Sequence, residues 1–297
     1  MEVFNVLYIC MDTSGIILNM VILICNFRDW CKRKALTVCD QILFSMAFTS
    51  IAMECSLNAE DLIFTLKPCD IWCKEAYLYA NMNYIITLFF VNASFWQTAL
   101  LSTYYCVKLS NGSHFSFQWM NRIISSSTLW LLLGSAAFCF LININFFWSI
   151  DLISPGNVTE PAEMRNYIWN LNISNYLFSI MFGCCLPFLV NFICIALSVG
   201  SLLKHVCRIR KNIVQSGSSS LIGGPVQAIS TMVLCAMLDL VYCVDFVGQV
   251  LSNFNNGDVV DAFAWVVFML YTKIRPIVII IGNPQLKRRL VGMCFSS

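Results

Sequence analysis

Seven long apolar runs divide this chain, and polar or charged residues gather in the short stretches between them. A helix crossing a bilayer needs about 20 apolar residues to cover a hydrocarbon core of about 30 Å. The runs predict spans near 4–27, 36–62, 77–107, 122–147, 174–203, 226–251 and 262–283. Little is left over, so one all-α, seven-helix transmembrane domain over 1–297 is expected, without a second domain or long linker. No repeat of the kind that marks many transporters is visible. Met1-Glu2-Val3-Phe4 leads almost directly into the first run, so that helix itself is expected to be the insertion signal.

Charge gives the bundle a direction. Thirteen of the 18 Lys and Arg residues fall in four patches, Arg28–Lys34, Lys108 to Arg122, Lys204–Lys211 and Lys287–Arg289, each at one end of an apolar run. Basic loops stay cytoplasmic during insertion, so the alternation places the N-terminus outside and the C-terminus inside. That is the architecture of a G-protein-coupled receptor at the plasma membrane. A chain 59% hydrophobic and 11% charged, with mean hydropathy +0.73, cannot hide its apolar surface in one soluble core. Topology accounts for the basic residues, so membrane lipids and not nucleic acid are the expected charged partners.

The 16 cysteines do not form a disulfide framework. Most lie inside spans, where Cys behaves as a small hydrophobe, and Cys31, Cys207 and Cys294 face a reducing cytoplasm. Cys31 and Cys294 are candidates for palmitoylation near the inner surface. Only Cys69 and Cys73 fall in an outer loop, and 148–173 holds no Cys, so the rhodopsin-class bridge from the third helix to that loop is impossible. That loop carries two acceptor sequons, Asn157-Val-Thr159 and Asn172-Ile-Ser174, which are candidate glycan sites. Asn92-Ala-Ser94 lies inside a span and Asn111-Gly-Ser113 in a cytoplasmic loop, so both are expected to be silent.

The third span ends Tyr104-Tyr105-Cys106-Val107-Lys108 without an acidic-Arg-aromatic triplet; the sixth lacks Cys-Trp-x-Pro and the seventh Asn-Pro-x-x-Tyr. Other motifs stand in their place. They are Gly15, Asn19, Asn26, Asp29-Trp30, Leu36-Thr37 and Asp40-Gln41-Ile42-Leu43 at the start, then Trp96, Leu101-Ser102, Tyr105, Lys108, Asn111, Ser113 and His114. Leu186-Pro187-Phe188, Ser201-Leu202 and Lys204-His205 follow in the fifth span, and Gly282-Asn283 with Leu286-Lys287 close the seventh. In these residues, along its whole length, the chain resembles the type 2 (bitter) taste receptors. Vomeronasal type 1 receptors are the nearest neighbours in pattern, and Pro276 leans toward them.

The resemblance implies binding of small, mostly apolar tastants, activation of a heterotrimeric G protein of the gustducin or Gi class, and no cofactor. It also exposes departures. The family's Arg in the second span falls on Ser50, its His at the start of the sixth on Pro225, and its His-Ser pair in the seventh on Arg275-Pro276. A charge at mid-membrane is costly unless paired or hydrated. Arg275 is therefore expected to reach, from the seventh helix, the interior polar cluster that the lost Arg reached from the second; the alternative is that it snorkels to the inner surface. Asn19 and Asn26 share nearly one face of the first helix and are expected to bond neighbouring helices. Pro187 predicts a kink in the fifth.

An interior pocket open to the outside would be lined by Glu54, Asn83, Thr87, Tyr242, Asp245, Asp261, Trp265 and Phe268. Aromatics offer stacking area and an acid offers a partner to an amine. Glu54 and Asp245 could instead be protonated or paired with Lys273, and Trp265 could be a membrane-interface residue. At the inner end Lys108, His114, Lys204, His205 and Arg208 are candidates for G-protein coupling, with topology and anionic lipid as the plainer account of their charge. No paired-His metal motif, nucleophile elbow or phosphate loop is present and only two His occur, so neither catalysis nor a metal site is expected. A transporter using Glu54, Asp239 and Asp245 as an ion relay is the remote alternative.

Overall fold

In a computed structural model the described residues are 2–33, 36–66, 73–110, 115–149, 173–212, 223–252 and 258–294. Among them all regular structure is helical. The helices are α1 (Glu2–Arg33), α2 (Val38–Leu66), α3 (Cys73–Leu109), α4 (Phe115–Ser149), α5, α6 (Gly223–Ser252), α7 (Asp258–Gly282) and α8 (Pro284–Cys294). α5 runs through Ile173–Ser179, a π-helical stretch Ile180–Cys185, and Leu186–Asn212. Six helices carry stretches long and apolar enough to cross a bilayer. Among the described residues a seventh candidate is α7, 25 residues long, whose Val266–Gly282 stretch is followed by Pro284–Gly292 bent away from it by 90°.

Local chemistry sets the starts of α2 and α8. Thr37 caps α2: its hydroxyl accepts from the Asp40 N–H at 3.2 Å and donates to Asp40 Oδ2 at 2.7 Å, a reciprocal cap of the Ser/Thr-to-acid type. The span predicted from 36 therefore starts its helix two residues later. Asn283 interrupts the last two helices and caps α8, its Oδ1 accepting from Gln285 N at 3.0 Å and Leu286 N at 3.1 Å. Pro284 occupies the first turn, where its missing N–H costs nothing.

α3 is the central post, packed against α2, α4, α5 and α6, while α1 touches both α2 and α7 and α4 lies at the edge. The surface is inverted relative to a water-soluble protein. Trp130 is 74% and Val244 65% exposed, whereas Asn26, Asn92, Gln97, Asp239 and Arg275 are buried. Apolar side chains face lipid and polar ones face one another, as a bilayer requires.

The kink expected at Pro187 takes a different form. The helix widens just before it, with the Leu186 N–H donating five residues back to the Met181 carbonyl. A proline cannot donate to the carbonyl four residues back, and a π-type turn re-partners neighbouring backbone groups. The widened turn wraps Asn92 of α3. Asn92 Nδ2 donates to Ser179 Oγ at 3.0 Å and to Asn143 Oδ1 at 3.4 Å, so three helices meet at one amide. Asn92 is wholly buried.

Candidate functional site

In the half of the bundle nearer the start of α1, Tyr242 is the centre of an aromatic cluster. Its ring lies 4.9 Å from Tyr271, 5.6 Å from Phe268, 5.8 Å from Phe95 and 6.2 Å from Phe246. Tyr242 and Phe268 are buried in this cluster with Met53, Leu88 and Val91. Asp245 lies one turn outward of Tyr242 and is 8% exposed. Asn83 and Thr87 meet α2: Ser56 Oγ donates to Asn83 Oδ1 at 2.6 Å, and Thr87 donates to Ser56 Oγ at 3.4 Å. Glu54 is buried against α1, where a Cβ on Gly15 would stand 2.2 Å from its Oε1. The structure thus gathers Tyr242 with Phe268 and Asn83 with Thr87. The side chains of Asp261 and Trp265 lie outside the described residues.

At mid-membrane Arg275 turns inward. Its Nη2 donates to the Ser94 carbonyl at 2.7 Å and to Thr98 Oγ1, and its guanidinium lies 5.7 Å from the Tyr271 ring centroid. Tyr271 in turn donates to Asp239 Oδ1 at 3.0 Å and sits 3.3 Å from Ser94 Oγ. Thr98 is about 16 Å along α3 from its inner end, so the guanidinium reaches toward the bundle centre and does not snorkel to the inner surface. The snorkelling alternative is corrected by the available partners. A carbonyl, a hydroxyl, a ring face and a nearby carboxylate give a buried cation more than a lipid path does. Lys273 is buried too, with Nζ 3.4 Å from Thr272 Oγ1.

The end of the bundle where α8 begins holds a cavity of about 570 Å³ lined by α2 (Cys39, preceded by Thr37), α3 (Tyr104, Tyr105, Lys108, Leu109), α6 (Ala228) and the α7–α8 junction (Gly282 to Gln285, and Arg288). Lys108 stands at its rim, donating to Tyr104 OH at 3.3 Å. Gly282 permits the α6–α7 approach that forms one wall, since a Cβ there would fall 1.9 Å from Thr231 Oγ1. Beside the cavity Arg289 forms an ion pair with Asp29 and hydrogen bonds to Asp40 and Asn26. Burial alone would lower the Arg289 pKa, but its bonds to Asp40 and the charges of Asp40 and Asp29 outweigh that and raise it. Lys204 is exposed. The side chains of His205 and Arg208, and the residues His114, Asn157 and Asn172, lie outside the described residues.

The two amides on α1 separate. Asn26 accepts from Arg289 Nη1 at 3.4 Å, a bond between helices. Asn19 instead donates to the Gly15 carbonyl of its own helix at 3.1 Å, correcting the expectation of a cross-helix bond. A glycine one turn back leaves its carbonyl open, and a buried amide takes the nearest acceptor.

Sequence reasoning passed over Arg289, Tyr271, Ser94, Thr98 and the Asn92–Asn143–Ser179 node. A readable signal existed for Arg289: it follows Leu286 by three residues and Leu290 follows Leu286 by four, so all three share one face of α8.

The family described as Taste receptor protein (TAS2R) matches residues 1–296. Taste receptor type 2 member 8 of Papio hamadryas is 26% identical over 296 residues, covering 94% of this chain and 91% of that protein. Taste receptor type 2 member 9 of Homo sapiens is 25% identical over 290 residues, covering 95% and 89%. Taste receptor type 2 member 50 of Macaca mulatta is 29% identical over 208 residues, or 68% and 66%. These matches displace the vomeronasal and transporter alternatives.

Proposed function

We propose a function for this chain from one premise: it belongs to the type 2 taste receptor (TAS2R) family. It is a multi-pass plasma-membrane receptor and not an enzyme. In our reading it detects small, mostly apolar bitter compounds and passes the signal to a heterotrimeric G protein of the gustducin or Gi class. The N-terminus lies outside, because the basic patches mark the inner ends.

The observation that carries this reading is the inner cavity. It lies where α3, α6 and α7 converge, with tyrosines on one wall and Lys108 and Arg288 at its edge. A groove of that composition suits an amphipathic helix with an acidic or carboxylate end, which is how the C-terminus of a Gα subunit would enter. Tastant would bind at the opposite end, beside Tyr242, Asp245, Phe268, Asn83, Thr87 and Glu54, with Asp261 and Trp265 above. The aromatic cluster would repack around an apolar ligand and favour a conformation with a wider inner mouth.

The test is expression with an export tag and a promiscuous G-protein chimera, reading cytosolic calcium against bitter compounds. A dose-dependent response that Asp245→Ala weakens at the agonist end, and Lys108→Ala and Arg288→Ala weaken at the coupling end, is expected. Verified surface expression with no response to any bitter compound would overturn the reading.

A further inference from the structure

Arg289 uses every guanidinium nitrogen. Its Nε lies 2.8 Å from Asp29 Oδ2, Nη1 donates to Asp40 Oδ1 at 3.0 Å, and Nη2 donates to Asp40 Oδ2 at 3.3 Å. Nη1 also reaches Asn26 Oδ1 at 3.4 Å. Asn26 and Asp29 come from α1 and Asp40 from the first turn of α2, so one side chain in the second turn of α8 ties three helices. The grip on Asp40 is the two-pronged fork that Arg makes and Lys cannot. The pairs are sheltered, with side-chain exposures of 16% for Arg289, 18% for Asp29 and 5% for Asp40. Leu286, 1% exposed, packs beneath the clasp with Ile22, Cys25, Ile42 and Leu43.

The clasp joins two walls of the cavity. Thr37 and Cys39, the neighbours of Asp40, form one wall; Pro284, Gln285 and Arg288, just before Arg289, form another. Arg288 and Arg289 diverge by about 100° around the helix, one toward the cavity and the other toward α1 and α2. Asp40 also serves the Thr37 cap, so the bolt and the wall share a residue.

We propose that Arg289 is a positioning residue for G-protein docking. By clasping Asp29, Asp40 and Asn26 it holds the first turns of α8 and α2 as opposed walls of the inner cavity, without itself touching the G protein. The inference rests on the cavity being the docking site.

The experiment uses the full-length receptor in lipid nanodiscs and, as probe, a fluorescent peptide carrying the C-terminal helix of a Gi-class α subunit. Binding is followed by anisotropy, and backbone hydrogen exchange is followed over α8. Charge-assisted bonds of this kind are worth enough that Arg289→Ala should weaken the peptide about tenfold or more and speed exchange in α8. Arg289→Lys should recover part of both, and the exchange of partners in Asp29→Arg/Arg289→Asp should recover more than either single change. Asp29→Asn, which removes one arm only, should give a smaller loss and serves if Arg289→Ala does not fold. Wild-type affinity in Arg289→Ala and Asp29→Asn, while Arg288→Ala and Lys108→Ala weaken the peptide, would overturn the inference and leave the docking reading standing. Loosened α8 with unchanged affinity would overturn it equally. No peptide binding by the wild-type receptor would remove the docking reading and this inference together.

Discussion

Gly183 sits in the π-helical stretch of α5, and its missing side chain leaves the space that Asn92 fills. A Cβ added there would lie 2.3 Å from Asn92 Oδ1, 2.4 Å from Cγ and 2.6 Å from Nδ2. Ordinary contact begins near 3.4 Å, so in Gly183→Ala the amide must withdraw by about 1 Å or α5 must move out. Neither is easy. Asn92 is short, 0% exposed, and held by Ser179 and Asn143. Overpacking of this sort costs about 1–3 kcal/mol. The two amide bonds, at about 0.6 and at most about 1.7 kcal/mol each within a membrane bundle, would be stretched or lost. The expected destabilisation is about 2–5 kcal/mol, or roughly 4–20 °C in apparent Tm at about 2–4 °C per kcal/mol. A thiol-reactive dye can follow thermal unfolding of the detergent-solubilised receptor, because the thiols of Cys139, Cys184 and Cys235 are buried in the folded bundle. Asn92→Ala removes the obstacle, so Gly183→Ala/Asn92→Ala should be destabilised by less than the sum of the single changes. A single variant melting within about 2 °C of wild type, or a strictly additive double, would refute the close approach of α5 to α3.

Arg275→Met should lower surface expression, because it strips the bonds to the Ser94 carbonyl and to Thr98; hydrogen bonds from a charged group are worth about 1.5–3 kcal/mol each. Ser50→Arg combined with Arg275→His should restore expression and signalling, measured by surface labelling and calcium release, whereas fully normal behaviour of Arg275→His alone would end the idea that this arginine replaces the family's. Gly282→Ala should impair coupling by forcing α6 from α7, and Thr231→Ala should relieve it only in part, since it removes the Oγ1 and Cγ2 at 1.9 and 2.5 Å but leaves the Cβ at 2.7 Å. Asn283→Ala, which removes the α8 cap, should cost about 1 kcal/mol and raise hydrogen exchange in the first turn of α8, with Asn283→Asp largely retaining protection.

Much of the helix layout was legible because it depends on local composition, on apolar runs and basic ends; the caps at Thr37 and Asn283, and α8 itself, were not predicted. The functional end of the molecule was less so. Asn83, Thr87, Tyr242 and Phe268 were selected by depth, and depth does not say whether a side chain faces a ligand or a neighbouring helix. Asn83 and Thr87 turn toward Ser56, and Tyr242 and Phe268 toward each other. The Arg289 clasp joins positions 26, 29, 40 and 289, a non-local coincidence that no window of sequence contains. Arg275 was singled out by its cost at mid-membrane, which is a physical signal; its partners on α3 were not, because Ser94 offers a backbone carbonyl and every residue has one. The π-helical stretch had only Pro187 as a cue, and a proline is compatible with several ways of bending a helix.

Arg275 also bears on how the receptor is made. At the centre of a helix an inserted Lys or Arg costs about 2.5–3.5 kcal/mol, while each Leu, Ile, Val or Phe returns only about 0.3–0.6. With both Lys273 and Arg275, α7 lies near balance as a solitary segment. The contacts that neutralise the cost belong to α3, which leaves the ribosome long before α7. The seventh helix is therefore a late passenger of the translocon. It enters the bilayer against a partner already folded there, and damage to α3 at Ser94 or Thr98 would surface as a topology defect at the far end of the chain.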